Sequence, residues 1–558
     1  MDAFDTETVN RPGGGHACLL VTSGDYLLFP RNFAAVFRYL ARGKISRYVC
    51  WNMDFDVQSI VHENLIHWKL PLDLASGRRV KYRGYLFDYI PGKRFSVSRG
   101  GQTVELFDLW QFYQCSLRTA AERYLDAEEK ADIPRHWYNK IDVVLQAGGR
   151  RAKRVIDYAV QDAAVTAKLY RSMADKLGKL GLSMERPVSA GSVSMTRWAG
   201  KHTVPPHWVN TAFADSYYGG RVECHTLGHI EKPTYLYDIK SAYPAVIRSL
   251  PGIRGLTFGY GTNHVLRPDE QYGAYRVRVK IPPDVRYGPL AKRSRDGLIF
   301  YPVGHIDTWV GLDGLKLIIA EGWEYTVRDY YCYYGDVMET PFADIDDLFA
   351  ARKDPELKLA AKLVMNSAYG KLAEHQEFQG KVRWGQYACV PMAAAITERT
   401  RLKLWRTMRE CGRQVYFCAT DSLLLDGELA CPPEPGLGDW ERKEICQSVD
   451  ILGTGRYILW PGEQPEIHLR GFDCDAASLR KLQKCGRNWA TLKVFRATSI
   501  KMWSKGMLTD DVNVLRHETR KFRVRDQKFR WPDGLEKLPI SRYFKECFHG
   551  EPWICADF

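Results

Sequence analysis

Three stretches of this 558-residue chain place acidic, basic and aromatic side chains at spacings that could handle a phosphoester. In TYLYDIKSAYPAVIRSLPG a short apolar run ends at Asp238, and a helix follows with Tyr243 and Pro244 in its first turn. In GRQVYFCATDSLLLDGEL a β-rich run breaks at Ala419, Thr420, Asp421 and Ser422 and then resumes, the pattern of a hairpin with Asp421 at its tip. Two aspartates from separate strand ends that meet in space suit two-metal phosphoryl transfer: one ion activates a hydroxyl, the other neutralises the phosphates and the leaving group. Between them, KDPELKLAAKLVMNSAYGKLAEHQ predicts a helix with Asp354 as N-cap and Pro355 at its first position. Lys358, Lys362, Asn366 and Tyr369 then follow at steps that keep them on one face. Two ammonium groups, an amide and a ring in that order suit a nucleoside triphosphate, while a solvated amphipathic face would account for the lysines alone.

A second acidic set opens the chain. AFDTETV carries Asp5 and Glu7 two residues apart, on one face of a strand. YVCWNMDFDVQSI offers Asn52, Phe55 and Asp56 after another apolar strand. VIDYAVQDAAVTAKLY puts Tyr158 and Asp162 one helical turn apart. Asp5 and Glu7 could share metal ions, although exposed strand residues would account for a D-x-E alone; four carboxylates and a tyrosine in this order make chance less adequate.

The chain that must position these groups is long enough for two or three domains, each with its own core. Its 14 cysteines form no C-x-x-C pair, so neither a zinc site nor a disulfide framework is indicated, and scattered thiols fit a reducing cytoplasm. No run of about 18 apolar residues suggests a membrane span, and the acidic start MDAFDTETVN is unlike a signal peptide. A net charge of +14 favours a polyanionic partner. Over half of that excess sits in residues 481–558, where 17 Lys and Arg face 9 Asp and Glu, with Phe522, Phe529 and Trp531 interleaved. Charge mixed with aromatics in this way suits a nucleic-acid backbone, and a solvated basic face fits as well.

The ordered motifs resemble the family B DNA polymerases. DIKSAYP is similar to the family's D-x-x-S-L-Y-P, KLVMNSAYG matches K-x-x-x-N-S-x-Y-G, and FCATDS resembles Y-x-D-T-D-S. The resemblance implies that Asp238 and Asp421 hold two Mg2+ or Mn2+ ions, that Lys358 and Lys362 contact the incoming triphosphate beside Asn366 and Tyr369, and that Tyr243 packs against its sugar. Thr420, in the middle of the D-T-D turn, is then a DNA-binding residue, and the first aspartate of that turn is Ala419 here. The N-terminal set resembles the exonuclease motifs D-x-E, N-x-x-F-D and Y-x-x-x-D of proofreading members. By that likeness Asp5, Glu7, Asp56 and Asp162 bind two further ions, Tyr158 orients the attacking water, and Asn52 and Phe55 hold DNA. Lys130, in EEKADIP, is similar to the catalytic-site lysine of small phage members.

Within the family, SYYGGRVEC, with Tyr217, Gly219 and Gly220, resembles the Y-x-G-G segment of the protein-primed polymerases of small viruses with linear genomes, a segment that helps partition the primer end. Their K-x-Y reads Gly455, Arg456, Tyr457 here, so the lysine is missing and Arg456 adjoins its place. Only about 20 residues separate Lys371 from the element beginning near Pro391, little room for the second insertion used in strand displacement. The expected architecture is mixed α/β: an RNase H-like nuclease domain at 1–185, palm and fingers at 186–475 with the fingers about 345–375, and a basic thumb-like region at 476–558. Expected partners are primer-template DNA, dNTPs and a terminal protein supplying the priming hydroxyl, with the enzyme a monomer in the host cytoplasm. Two other readings remain open on the residues: a metal-dependent nuclease whose polymerase half has decayed at Ala419, and a non-catalytic nucleic-acid-binding protein.

Overall fold

The computed structural model describes residues 1–10, 16–23, 26–30, 32–64, 79–125, 133–226, 228–294, 297–378, 381–453, 455–463, 465–469, 489–497 and 515–523. The chain divides into two compact units, the first built on Met1–Arg197 with residues 351–364 and 493–519, the second on Trp198–Ala350 with Met365–Leu492 and the remaining C-terminal residues. The fold is mixed α/β.

The first unit is built on β1 (Asp2–Asn10), β2 (His16–Ser23), β3 (Tyr26–Leu28), β4 (Ile45–Cys50), β5 (Val80–Tyr82), β6 (Tyr85–Ile90), β7 (Arg94–Arg99) and β8 (Gln102–Asp108). They form one sheet in the order β3-β2-β1-β4-β8-β7-β6-β5, in which β1–β4 and β4–β8 run parallel. Helix α1 (Phe33–Leu40) starts at Asn32, whose side chain accepts from the Ala35 amide at 2.9 Å, a local cap. Helix α2 (Met53–Asn64) leaves β4 after only Trp51 and Asn52. Phe4, Tyr48, Met53, Val57, Phe87 and Leu106 belong to the buried core beneath them. The long α3 (Gly149–Lys179) buries Val155, Tyr158, Asp162, Thr166 and Leu169 at helical spacing and packs on β1. It stops at a glycine: Gly181 takes φ +75, and the Leu182 amide returns to the Leu177 carbonyl at 2.9 Å.

The second unit starts with β9 (Val222–Cys224), β10 (Gly228–Ile230), β11 (Thr234–Ile239), β12 (Thr257–Gly261), β13 (Glu270–Ile281), the short β14 (Lys292–Arg293) and β15 (Ile299–Phe300), β16 (Gly304–Gly311) and β17 (Tyr325–Tyr334). It continues with β18 (His375–Phe378), β19 (Lys381–Trp384), β20 (Val415–Ala419), β21 (Ser422–Leu425), β22 (Trp440–Cys446), β23 (Ser448–Gly453), β24 (Arg456–Trp460) and β25 (Glu466–Leu469). Its central sheet is antiparallel, ordered β22-β11-β21-β20-β9; the others include β12-β17-β13-β16 and β10-β23-β24-β25. Three further helices matter for the sites: α4 (Ala242–Ile247) and α5 (Leu312–Ala320) in this unit, and α6 (Lys358–Leu372), whose first half belongs to the first unit. The largely buried α7 (Val390–Glu410) packs against α4 and α5, and its Leu402, Leu404 and Trp405 meet Tyr237, Leu423 and Leu425 of the central sheet in one core.

Two local expectations need adjustment. Asp354 does not cap α6 and Pro355 is not its first residue: the Asp354 carboxylate accepts from the Glu356 amide at 2.8 Å, closing a turn, and the helical ladder begins with the Lys358 amide on the Asp354 carbonyl at 2.9 Å. The short stretch between Lys371 and Pro391 is filled by the β18–β19 hairpin. In the basic tail, β26 (Trp489–Ala497) pairs with β27 (Leu515–Arg523), the strand that holds Phe522; Phe529 and Trp531 lie outside the described residues.

Candidate active sites

In the central sheet of the second unit, β11 carries Asp238 next to its end, paired across from Ser422 of β21. The β20–β21 turn is only Thr420 and Asp421, with Thr420 at φ 60, a left-handed conformation that a β-branched residue holds only when its surroundings fix it. Two backbone bonds do so: the Thr420 amide on the Arg221 carbonyl at 2.6 Å, and the Ile239 amide on the Asp421 carbonyl at 2.8 Å. Asp421 therefore lies beside Asp238. Burial and then the Asp238 charge push its carboxyl up to about 6, with Lys443 acting weakly in the other direction. Ala419 pairs with Ser422 at the start of the turn, a methyl where the resembling family has a carboxylate.

Tyr457, on β24, stacks on Phe417 with ring centroids 4.5 Å apart and on His468 at 4.7 Å. Its hydroxyl is pushed up to about 12 by burial and then by the Asp238 charge. Arg456, beside it, is half-buried.

Around the same turn three tyrosines meet. Tyr243 of α4 packs on Tyr369 of α6 at 4.3 Å between centroids, and the Tyr369 hydroxyl lies 2.7 Å from that of Tyr217. Burial pushes the Tyr243 hydroxyl up to about 12. Gly220 has no room for a side chain: a Cβ there would lie 2.7 Å from Thr420 Cγ2. Lys358, Lys362 and Asn366 are exposed along one side of α6, and Tyr369 is half-buried at its end.

Two further groups are invisible to sequence reading. Arg401 of α7 is buried and donates from Nη1 to the Tyr218 carbonyl at 2.7 Å and the Gly219 carbonyl at 2.9 Å, fixing the backbone of the Y-x-G-G segment. One turn earlier, Glu398 accepts from the Gly311 amide at 2.7 Å at the start of α5; burial, then the Asp313 charge, push its carboxyl up to about 7. Only their positions on the apolar side of α7 could have hinted at either. Nearby, buried Glu223, His225 and Cys418 cluster with donor atoms within 4.8 Å of one another, and the fully buried Arg221 guanidinium meets the Glu223 carboxylate at 2.6 Å.

In the first unit, Asp5 and Glu7 lie on β1, Asp56 on α2, and Tyr158 and Asp162 on the buried side of α3, which packs on β1. The Thr6 hydroxyl donates to Asp56 Oδ1 at 2.7 Å. Burial and then the Asp5 charge push the Asp56 carboxyl well above the usual range. The buried Cys50 thiol is raised by burial and by the charges of Asp56, Asp108, Asp5 and Asp54, so four acids surround it. Asp54 and Asp108 escaped the sequence reading: Asp54 Oδ1 accepts from the Gly92 amide at 2.6 Å and from the Tyr89 hydroxyl, and Asp108 ends β8. Asn52 stands at φ 62, and the Phe55 amide bonds its carbonyl at 3.0 Å to begin α2. Lys130 lies outside the described residues. In both acidic groups carboxylates repel one another in partial or full burial, a donor set that fits hard divalent cations with oxygen ligands.

The family described as DNA polymerase type B, organellar and viral, matches residues 146–384, a span that includes Asp238, Tyr243, α6 and the Y-x-G-G segment. The chain is related to the viral family B DNA polymerases. It is 23% identical to the DNA-directed DNA polymerase of Enterobacteria phage PRD1 over 439 residues, 68% of this chain and 76% of that enzyme. It is 23% identical to the DNA polymerase of Bacillus phage Nf over 296 residues, about half the length of each. Among solved structures, Phi29 DNA polymerase complexed with primer-template DNA and incoming nucleotide superimposes with a TM-score of 0.65 at 15% identity, covering 94% of this chain and 99% of that one. That likeness establishes a shared fold. Among the described residues no helix is long and apolar enough to cross a membrane.

Proposed function

We propose that this chain is a template-directed DNA polymerase carrying a 3′–5′ proofreading exonuclease, with an RNase H-like nuclease domain first and palm, fingers and thumb after it. The observation that carries the reading is the turn that sets Asp421 beside Asp238 and pushes its carboxyl up to about 6 by burial and mutual charge. Asp238 and Asp421 would hold two Mg2+ or Mn2+ ions, which when bound supply the charge that phosphoryl transfer needs. Lys358 and Lys362 bind the triphosphate of a dNTP, with Asn366 alongside. Tyr243, held by Tyr369, presents its ring to the sugar and excludes a 2′ hydroxyl, the group that separates ribo- from deoxyribonucleotides. Thr420, Arg456 and Tyr457 support the primer terminus, and Tyr217, Gly219 and Gly220 form a rigid segment along which the primer end passes.

In the nuclease, Asp5, Glu7, Asp56 and Asp162 would hold a second pair of ions. Tyr158 orients the attacking water, Asn52 and Phe55 hold the single strand, and Lys130 supports the leaving group. The Y-x-G-G segment, with its resemblance to that of the protein-primed polymerases of small viruses, supports initiation on a terminal protein. The test is extension of a 5′-labelled primer on a template with Mg2+, with and without dNTPs. Elongation with dNTPs and stepwise shortening without them support the reading. Shortening under both conditions favours the decayed-polymerase alternative suggested by Ala419, and an unchanged primer in both refutes it.

A further inference from the structure

Asp108 belongs to none of the motifs above, yet it holds the turn from which one of them starts. It ends β8, in parallel register with Cys50 at the end of β4, and it is 3% exposed. A single oxygen, Oδ1, accepts from two amides: Asn52 at 3.0 Å and Trp110 at 2.9 Å. Asn52 needs such a partner, because at φ 62 it occupies the left-handed region, where a non-glycine residue stays only when other bonds over-determine it. The bond to Asp108 spans 56 residues of sequence and arrives from a neighbouring strand, so the sheet itself sets the angle at which α2 departs. Phe55 and Asp56 follow within that first helical turn, and the Phe55 amide is already bonded to the Asn52 carbonyl. The largest influences on the Asp108 carboxyl are its burial, the Trp110, Asn52 and Met53 amides and the charge of Asp54. A buried acceptor that ties the Asn52 amide ahead of α2 to the Trp110 amide beyond its own strand serves geometry.

We propose that Asp108 is a positioning residue of the nuclease: it locks Asn52 in its left-handed conformation and thereby aims Asn52, Phe55 and Asp56 at the DNA end. Asp108 itself does not touch substrate. The inference rests on the exonuclease reading of this unit.

The test compares full-length Asp108→Ala and Asp108→Asn with wild type, using degradation of a 5′-labelled single strand, primer extension as a control for folding, and hydrogen exchange of the peptide spanning residues 51–57. Alanine leaves two amides without a buried acceptor, so KM for the single strand should rise about tenfold while extension is kept. Asparagine retains an oxygen in the same place and should return KM to within about threefold of wild type. Exchange at 51–57 should accelerate in the alanine variant and stay slow in the asparagine one. An alanine variant that extends primers normally, with unchanged KM and unchanged exchange, overturns the proposal. If wild type degrades nothing, the exonuclease reading fails, and the exchange arm alone decides: faster exchange in alanine only supports positioning by Asp108, and equal exchange in all three overturns it.

Discussion

Asp421 and Arg401 mark the two limits of what residue types reveal. A β run that breaks for four residues and resumes is a hairpin signal, so Asp421 could be placed at a tip from the sequence, and the structure has it there, next to Asp238. Arg401 sits among Glu398, Arg399 and Lys403, a run that looks like any charged helix face; its importance depends on facing inward, which is decided by tertiary packing. Asp108 is the same case, since a strand-ending aspartate is common and only the left-handed Asn52 beside it gives it a task. At this scale the decisive substitution is Tyr243→Val. The ring is fixed against Tyr369 at 4.3 Å, so shortening it should open the space opposite the sugar and raise the ratio of rNTP to dNTP incorporation at least about tenfold. Incorporation assays with each nucleotide class measure it, and an unchanged ratio would reduce Tyr243 to a packing residue. Lys362→Ala should raise KM for dNTP about tenfold and leave degradation as it is, because a single charge-assisted contact to phosphate is lost; steady-state extension kinetics give the number.

Elements were legible where their signals are local. The end of α3 at Gly181 follows from glycine and the loss of helical spacing, and α6 follows from its run of strong helix formers. Its start did not follow, because an aspartate can satisfy a turn as readily as it caps a helix, and Asp354 bonds Glu356. Sheet order was beyond reach: nothing in YVCWN announces that β4 lies between β1 and β8. The Y-x-G-G segment and the β20–β21 turn meet where Gly220 faces Thr420. Gly220→Ala would push a methyl to within 2.7 Å of Thr420 Cγ2, and the stiff Thr420 can yield only by moving the turn that bears Asp421. Extension should fall about tenfold with degradation unaffected. Thr420→Ser in the same chain removes the methyl that clashes and should restore part of the loss; no recovery would mean that Gly220 matters for another reason.

For the whole molecule, the composition gave no sign of a crosslinked scaffold and favoured a polyanion, and the two-unit division agrees with a chain too long for one core. The buried Glu398 gives stability a pH dependence of known sign. Its carboxyl rises from an ordinary 4.5 to about 7 in the folded chain, so the folded state holds the proton more tightly; ionisation adds no penalty below about pH 4.5 and its full penalty above about pH 7. Glu398→Gln should therefore stabilise the protein at pH 8 by on the order of 2 kcal/mol and have little effect near pH 4.5, read from denaturant unfolding at the two pH values. Priming by protein is tested by incubating the enzyme with Mg2+, labelled dNTP and the product of a neighbouring reading frame; covalent labelling of that product is expected, and extension of nucleic-acid primers alone would place the chain with conventionally primed relatives. Two separate phosphoryl-transfer sites in one chain can be told apart on a single 5′-labelled primer-template, with and without dNTPs, using wild type, Asp421→Asn and Asp5→Ala with Glu7→Ala. Asp421→Asn should shorten primers without lengthening them, and the N-terminal double variant should lengthen primers without shortening them. Wild-type extension by Asp421→Asn, or loss of both activities in a folded Asp5→Ala, Glu7→Ala protein, would contradict two separate sites.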